Sequence, residues 1–226
     1  MLKALLLDLD GTLVDTPQAI VDVTQATLAA LGRPPADVQT IKDGIGLPLP
    51  VALLALLDAS RKGAPPETEA VATVAVEIYR THWRAQVTPR LPQLVYPGVL
   101  EGLQKLRDAG LRLAVVTGKA QEGADSTVDG AGFRPFIEVV LGYTSVPNPK
   151  PAPDLALEAM KRLRLAAADC VVVGDTHHDL EMARAAGLRS IAVTYGAQPE
   201  AALRGATWVA HSFAEVVRIA RAEASL

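Results

Sequence analysis

The sequence predicts an α/β protein, a doubly wound parallel sheet with an all-helical segment inserted after its first strand. Three observations carry that expectation. Short apolar runs recur along the chain, each stopping abruptly at a polar or glycine-bearing turn. Helical stretches separate the later runs, and strands alternating with helices build parallel sheets. Residues 15 to about 90 break the alternation and read as helices alone.

The first run, Lys3 to Asp8, is long enough for a strand, and its composition suits one covered on both faces. Asp8 at its C-terminal end has no apolar partner there, so it is expected to open into a crevice. Side chains two apart on an extended chain point the same way, which puts Asp8 and Asp10 in one site. Gly11 lets the backbone turn and approach a ligand closely. Asp-Gly is also a common turn signal, so this string alone fits a strand end and a helix start without chemistry.

Pro17 to Leu31 reads as a helix with Thr16 as N-cap and Gly32 as stop. Leu47 to Leu57 and Glu67 to Gln86 look helical too. The expected division is therefore an α/β core of residues 1–14 and 91–226, with a helical insert over 15–90. An all-helical insert hinged over a strand-end crevice reads as a lid. Pro97 to Ala109 reads as a helix, with Gly110 past its end and Leu100, Leu103 and Leu106 on one face. Leu111 to Thr117 is the next strand and ends in Thr-Gly-Lys; Ile137 to Leu141 is a further candidate, followed by Gly142. Pro153 to Leu163 reads as a helix, Asp169 to Asp175 as a strand, and Asp179 to Ala186 as a helix stopped by Gly187. Ser190 to Tyr195 is the last expected strand. In such sheets ligands sit beyond the carboxyl ends of the strands, and Asp8, Asp10, Thr117 and Asp175 all fall there.

Composition narrows the function. Half of the 226 residues are hydrophobic, enough for a sizeable core. A net charge of −3 and only nine aromatic residues argue against nucleic-acid binding. No run approaches a transmembrane helix, so no membrane association is expected, and no signal-peptide pattern opens the chain. The single Cys170 fits a reducing compartment, and cytoplasmic is the expected location. Monomer and homodimer stay open.

Four segments carry a resemblance. Asp8-Leu9-Asp10-Gly11-Thr12-Leu13-Val14-Asp15 looks like the first motif of the haloacid dehalogenase superfamily, and Val115-Val116-Thr117-Gly118-Lys119 like its second. Lys150-Pro151-Ala152-Pro153-Asp154 resembles the third, and Gly174-Asp175-Thr176-His177-His178-Asp179 the fourth. Their order covers essentially the whole chain. Tyr96-Pro97-Gly98-Val99 and the small helical insert are similar to the phosphoglycolate-phosphatase-like branch.

The resemblance implies a haloacid-dehalogenase-like Rossmannoid core and a Mg²⁺-dependent phosphatase. Asp8 is its implied nucleophile, forming an aspartyl-phosphate that divides one hard displacement into two. Mg²⁺ held by Asp8 and Asp175, with the main-chain carbonyl of Asp10 as a further ligand, would reduce the repulsion between two anions. Asp10 is the implied general acid and base, and a neighbouring carboxylate is expected to raise its pKa. Thr117 offers a hydroxyl to the phosphate, beside Gly11 and Gly118, and Lys150 a cation. Asp179 either contacts the metal or orients Lys150, and as a residue it also fits a helix cap. Gly118 stands where Ser or Asn is often found. Lys119 could help with phosphate, although Lys150 is the better candidate. His177 and His178, being adjacent, are expected to point apart. Lys42 and Gly46 lie in a stretch resembling the lid loop that enters the site; the glycines there also fit simple punctuation between helices.

The expected substrate is a small phosphorylated metabolite of the phosphoglycolate or sugar-phosphate type. A phosphosugar mutase keeps the same core motifs, and a non-catalytic phosphate-binding protein is the alternative from another class. Dehalogenases and phosphonatases lack the acid that Asp10 supplies.

Overall fold

The computed structural model describes residues 1–60 and 68–224. Among them, six strands form one parallel sheet: β1 (Ala4–Leu7), β2 (Arg112–Val116), β3 (Val139–Leu141), β4 (Cys170–Gly174), β5 (Arg189–Val193) and β6 (Trp208–Ala210). Their order is β3-β2-β1-β4-β5-β6, with every pairing parallel. The chain winds outward from β1 to one edge and then returns to wind the other way from β4. The switch point lies between β1 and β4, where a crevice opens at the carboxyl ends.

Alternation along β1 explains why the sheet is covered on both faces. Leu5 and Leu7 pack with α5 (Val99–Asp108), α6 (Gln121–Gly130) and α9 (Phe213–Ala224), whereas Ala4 and Leu6 pack with α7 (Asp154–Leu163) and α8 (His177–Ala185). Four further helices, α1 (Pro17–Ala30), α2 (Val38–Asp43), α3 (Leu49–Ala59) and α4 (Glu69–Gln86), follow β1 directly. Val23, Leu28, Leu53, Leu57, Ala75 and Tyr79 give these helices an apolar cluster separate from those of the sheet. The chain enters and leaves the helical unit side by side: Val14 bridges to Val95, and the Asp15 amide donates to the Leu94 carbonyl. Among the described residues no helix is long and apolar enough to cross a membrane.

Several expected boundaries move, each for a local reason. The helix expected from Pro97 begins at Val99, because Gly98 takes a left-handed conformation (φ 77°) and serves as its cap. Its buried face is Val99, Gly102, Leu103 and Leu106, and Leu100 is 42% exposed rather than part of the core. Pro48 caps α3, which therefore starts two residues later than expected. Residue 67, the expected start of α4, lies outside the described residues. Helix α8 starts at His177, so Asp179 sits in its first turn rather than at its head. The short strand β6 and helices α2, α6 and α9 are additions that the periodicity does not announce.

Candidate active site

Four polar loops meet at the carboxyl ends of β1, β2 and β4. Asp8 follows β1 directly and is 1% exposed; Thr117 follows β2, and Asp175 follows β4. Gly11 is essential to this convergence. It sits at φ +77°, a region that favours glycine, and a Cβ there would overlap the Asp175 carboxylate. Asp175 is held from two sides: Thr12 Oγ1 donates to its Oδ1 at 2.9 Å, and the Ala197 amide donates to its Oδ2 at 2.7 Å.

Lys150 reaches this cluster from the loop before α7. Its ammonium is fully buried and donates to Asp8 Oδ1 at 2.9 Å and to Asp179 Oδ1 at 2.5 Å. Asp179 spends its other oxygen on the start of α8, accepting from the Thr176 amide and hydroxyl at 3.1 and 2.7 Å. Helix capping and orientation of the lysine thus coexist in one side chain. The carboxylates of Asp8, Asp175 and Asp179 bring ligand oxygens within 4.8 Å of one another, all buried. Burial raises the Asp8 pKa to about 7, against the pull of Lys150, and burial together with Asp179 and Asp8 raises that of Asp175.

Asp10 stands apart from that cluster. Its side chain accepts from Thr16 Oγ1 at 2.6 Å and from Lys119 Nζ at 3.0 Å. Thr16 does precede α1 as expected, but its hydroxyl serves Asp10 and makes no capping bond. Lys119 in turn lies 4.0 Å from the ring centroid of Trp83 on α4, a cation–π arrangement. The sequence ranks Lys119 below Lys150 because it cannot show that Trp83, far upstream in the chain, comes to lie beside it. Thr12 and Thr16 are further site residues that sequence reasoning left out; the available signal was that Thr12 lies inside the first motif and Thr16 directly after it.

The helical unit rests on the core at this site. A Cβ at Gly118 would overlap the Gly46 carbonyl, so the absence of a side chain at 118 is what lets this loop seat. The Asp43 carbonyl accepts from His178 Nε2 at 3.3 Å, leaving His178 Nδ1 without a partner. Arg84 on α4 pairs with Glu122 on α6 at 3.6 Å. His177 and His178 do not point apart as expected: their ring centroids lie 3.9 Å from each other, and with Glu181 they gather three potential ligand atoms within 4.8 Å. A cavity of about 280 Å³ extends from Asp8 and Asp10 into the helical unit, lined also by Gly46, Thr117, Gly118 and Lys119. Lys42, expected in the lid loop, lies on α2 and does not line this cavity.

A family model described as haloacid dehalogenase-like hydrolase matches residues 5–193. "Probable phosphatase IndB" of Dickeya dadantii (strain 3937) is 42% identical over 98% of this chain and 95% of the relative. A phosphoglycolate phosphatase of Thiobacillus denitrificans is 31% identical over 86% of this chain and 84% of its own. The crystal structure of a predicted phosphoglycolate phosphatase from Haemophilus somnus 129PT superposes with a TM-score of 0.84 at 26% identity, covering 96% of this chain and 97% of that one.

Proposed function

The chain belongs to the haloacid dehalogenase-like hydrolase family, and from that membership we propose that it is a Mg²⁺-dependent phosphatase cleaving a small phosphate monoester through a phosphorylated Asp8. The observation that carries the mechanism is the buried Lys150 bridging Asp8 and Asp179, with Asp175 beside them.

The donor set fits the metal. One buried ammonium faces three buried carboxylates, and a hard divalent cation balances the remaining negative charge. Asp8 and Asp175 would hold it, with Asp179 and the Asp10 carbonyl as further ligands. When bound, it supplies charge neutralisation between the nucleophile and the phosphoryl oxygens.

The remaining chemistry belongs to side chains. Asp8 attacks phosphorus, an O–P bond forms, the ester O–P bond breaks, and Asp10 gives its proton to the departing alkoxide. Water then attacks phosphorus while Asp10 takes its proton, which frees phosphate and regenerates Asp8. Thr117, with the backbone of Gly118, lies where it can orient the phosphoryl group, and Lys150 holds Asp8 in place. Thr16 and Lys119 fix the direction of Asp10. Residues 15–90 act as the lid, carrying Gly46 onto the core.

Phosphate release from ethyl phosphate with Mg²⁺ and with EDTA, beside Asp8→Asn, tests the reading. Metal-dependent turnover that disappears in the variant is expected. Turnover that survives in Asp8→Asn would remove Asp8 as nucleophile. Phosphoryl transfer to a sugar without net phosphate release would assign mutase chemistry instead.

A further inference from the structure

The cavity beyond the reacting carboxylates has a composition that a polar metabolite does not call for. Its far wall is built by Ile41, Ile45, Leu53, Leu56, Val76 and Tyr79, all buried, from four segments of the helical unit. The whole cavity, its carboxylate end included, measures about 280 Å³, against the ~150 Å³ at which an aliphatic cavity already holds a benzene molecule.

The cations around it are engaged. Arg80 pairs with Glu77 at 3.0 Å, Arg84 with Glu122 at 3.6 Å, and Lys119 with Asp10 at 3.0 Å. The two arginines lie at a solvent-exposed rim, whereas the apolar wall runs into the interior. A carboxylate pushed toward that wall loses hydration, and the arginines at its rim are already paired with Glu77 and Glu122, so the transfer is costly. A hydrocarbon or aromatic group placed there sheds water and gains contacts.

We propose that the substrate is a phosphate monoester whose alcohol carries an apolar group about the size of an aromatic ring, seated against Leu53, Leu56 and Val76. This deepens the phosphatase reading and rests on it for the position of the phosphoryl group. On this reading the wall of the helical unit sets the preference of this chain.

The test compares kcat/KM for 2-phenylethyl phosphate, ethyl phosphate and 2-phosphoglycolate, with Mg²⁺ present. The first two are esters of simple primary alcohols, so leaving-group reactivity does not dominate their ratio. A buried methylene alone is worth about fourfold, and the phenyl ester is expected to exceed both others by at least tenfold. Equal or better turnover of 2-phosphoglycolate would overturn the inference and leave the phosphatase reading standing. Leu49→Arg, which puts a cation on the half-buried edge of the cavity, is expected to lower the phenylethyl-to-phosphoglycolate ratio at least tenfold. An unchanged ratio in a folded variant would count against the proposal.

Binding separates the two readings if no ester turns over. Calorimetry with 2-phenylethylphosphonate and ethylphosphonate, neither of which can be hydrolysed at the P–C bond by this route, reports the cavity alone. At least tenfold tighter binding of the phenyl compound would support the apolar seat even if the phosphatase reading failed. Equal binding would overturn the seat.

Discussion

Asp10 and Asp8 are two residues apart in sequence and live in different electrostatic company. Asp8 is bound to a buried ammonium, and Asp10 is clamped between the Thr16 hydroxyl and Lys119. Lys119→Ala removes one side of that clamp. It is expected to lower kcat by about tenfold to a hundredfold, a fraction of what a general acid–base contributes. Lys119→Arg should recover part of the loss, and a purely structural role would give no rescue and no change in the pH–rate profile. Thr16→Val should act in the same direction through Asp10. These residues were only partly legible in the sequence. The carboxylates stand out because each interrupts an apolar run, a signal carried by the chain itself. Lys119 does not, since a lysine after a strand is ordinarily solvated, and its burial depends on Trp83 from a separate helix.

Among the elements, those with strong periodicity were legible and those defined by their neighbours were not. Helix α6 holds two glycines among polar residues and buries only small side chains, Ala124, Thr127 and Val128. Strand β6 has three residues and one partner, so nothing local marks it. Leu100 was misplaced because leucines at i, i+3 and i+6 drift around a helix, and its core face centres on Leu103 instead. The seating of the 43–47 loop likewise hangs on a contact between distant glycines. Gly118→Ala places a methyl against the Gly46 carbonyl. A fall in kcat/KM of at least about tenfold is expected, with little loss of melting temperature, since the displaced loop is peripheral to both cores. Unchanged kinetics would show that the loop seats independently of residue 118. By contrast, Leu106→Ala empties a fully buried position in α5 and should cost about 2–5 kcal/mol in denaturant unfolding.

For the molecule as a whole, the carboxylate cluster sets stability against function. The Asp8 pKa rises with folding from an ordinary 3.8 to about 7, through burial above all. A raised acid favours the folded state while it is protonated. Its contribution is therefore present below about pH 4 and lost as pH climbs through about 7, on the order of 4 kcal/mol across that window. EDTA-treated protein is expected to lose melting temperature between pH 5 and pH 8, and Asp8→Asn should flatten that decline. Mg²⁺ should raise the melting temperature more at pH 8 than at pH 5.5, because ligand carboxylates bind it deprotonated. An equal Mg²⁺ increment at both pH values would contradict this electrostatic account.

The bridge between Val14 and Val95 has an evolutionary consequence. Residues 15–94 depart from and return to neighbouring points on the core, about 5 Å apart in a paired geometry. The entropy of closing such an excursion grows only with the logarithm of its length. The stretch is thus a cassette. It can lengthen, shrink or be transplanted from another protein as one contiguous piece while the carboxylates of β1 and β4 keep their places. New substrates can then arise by recombination at two adjacent splice points rather than by slow repainting of the catalytic floor.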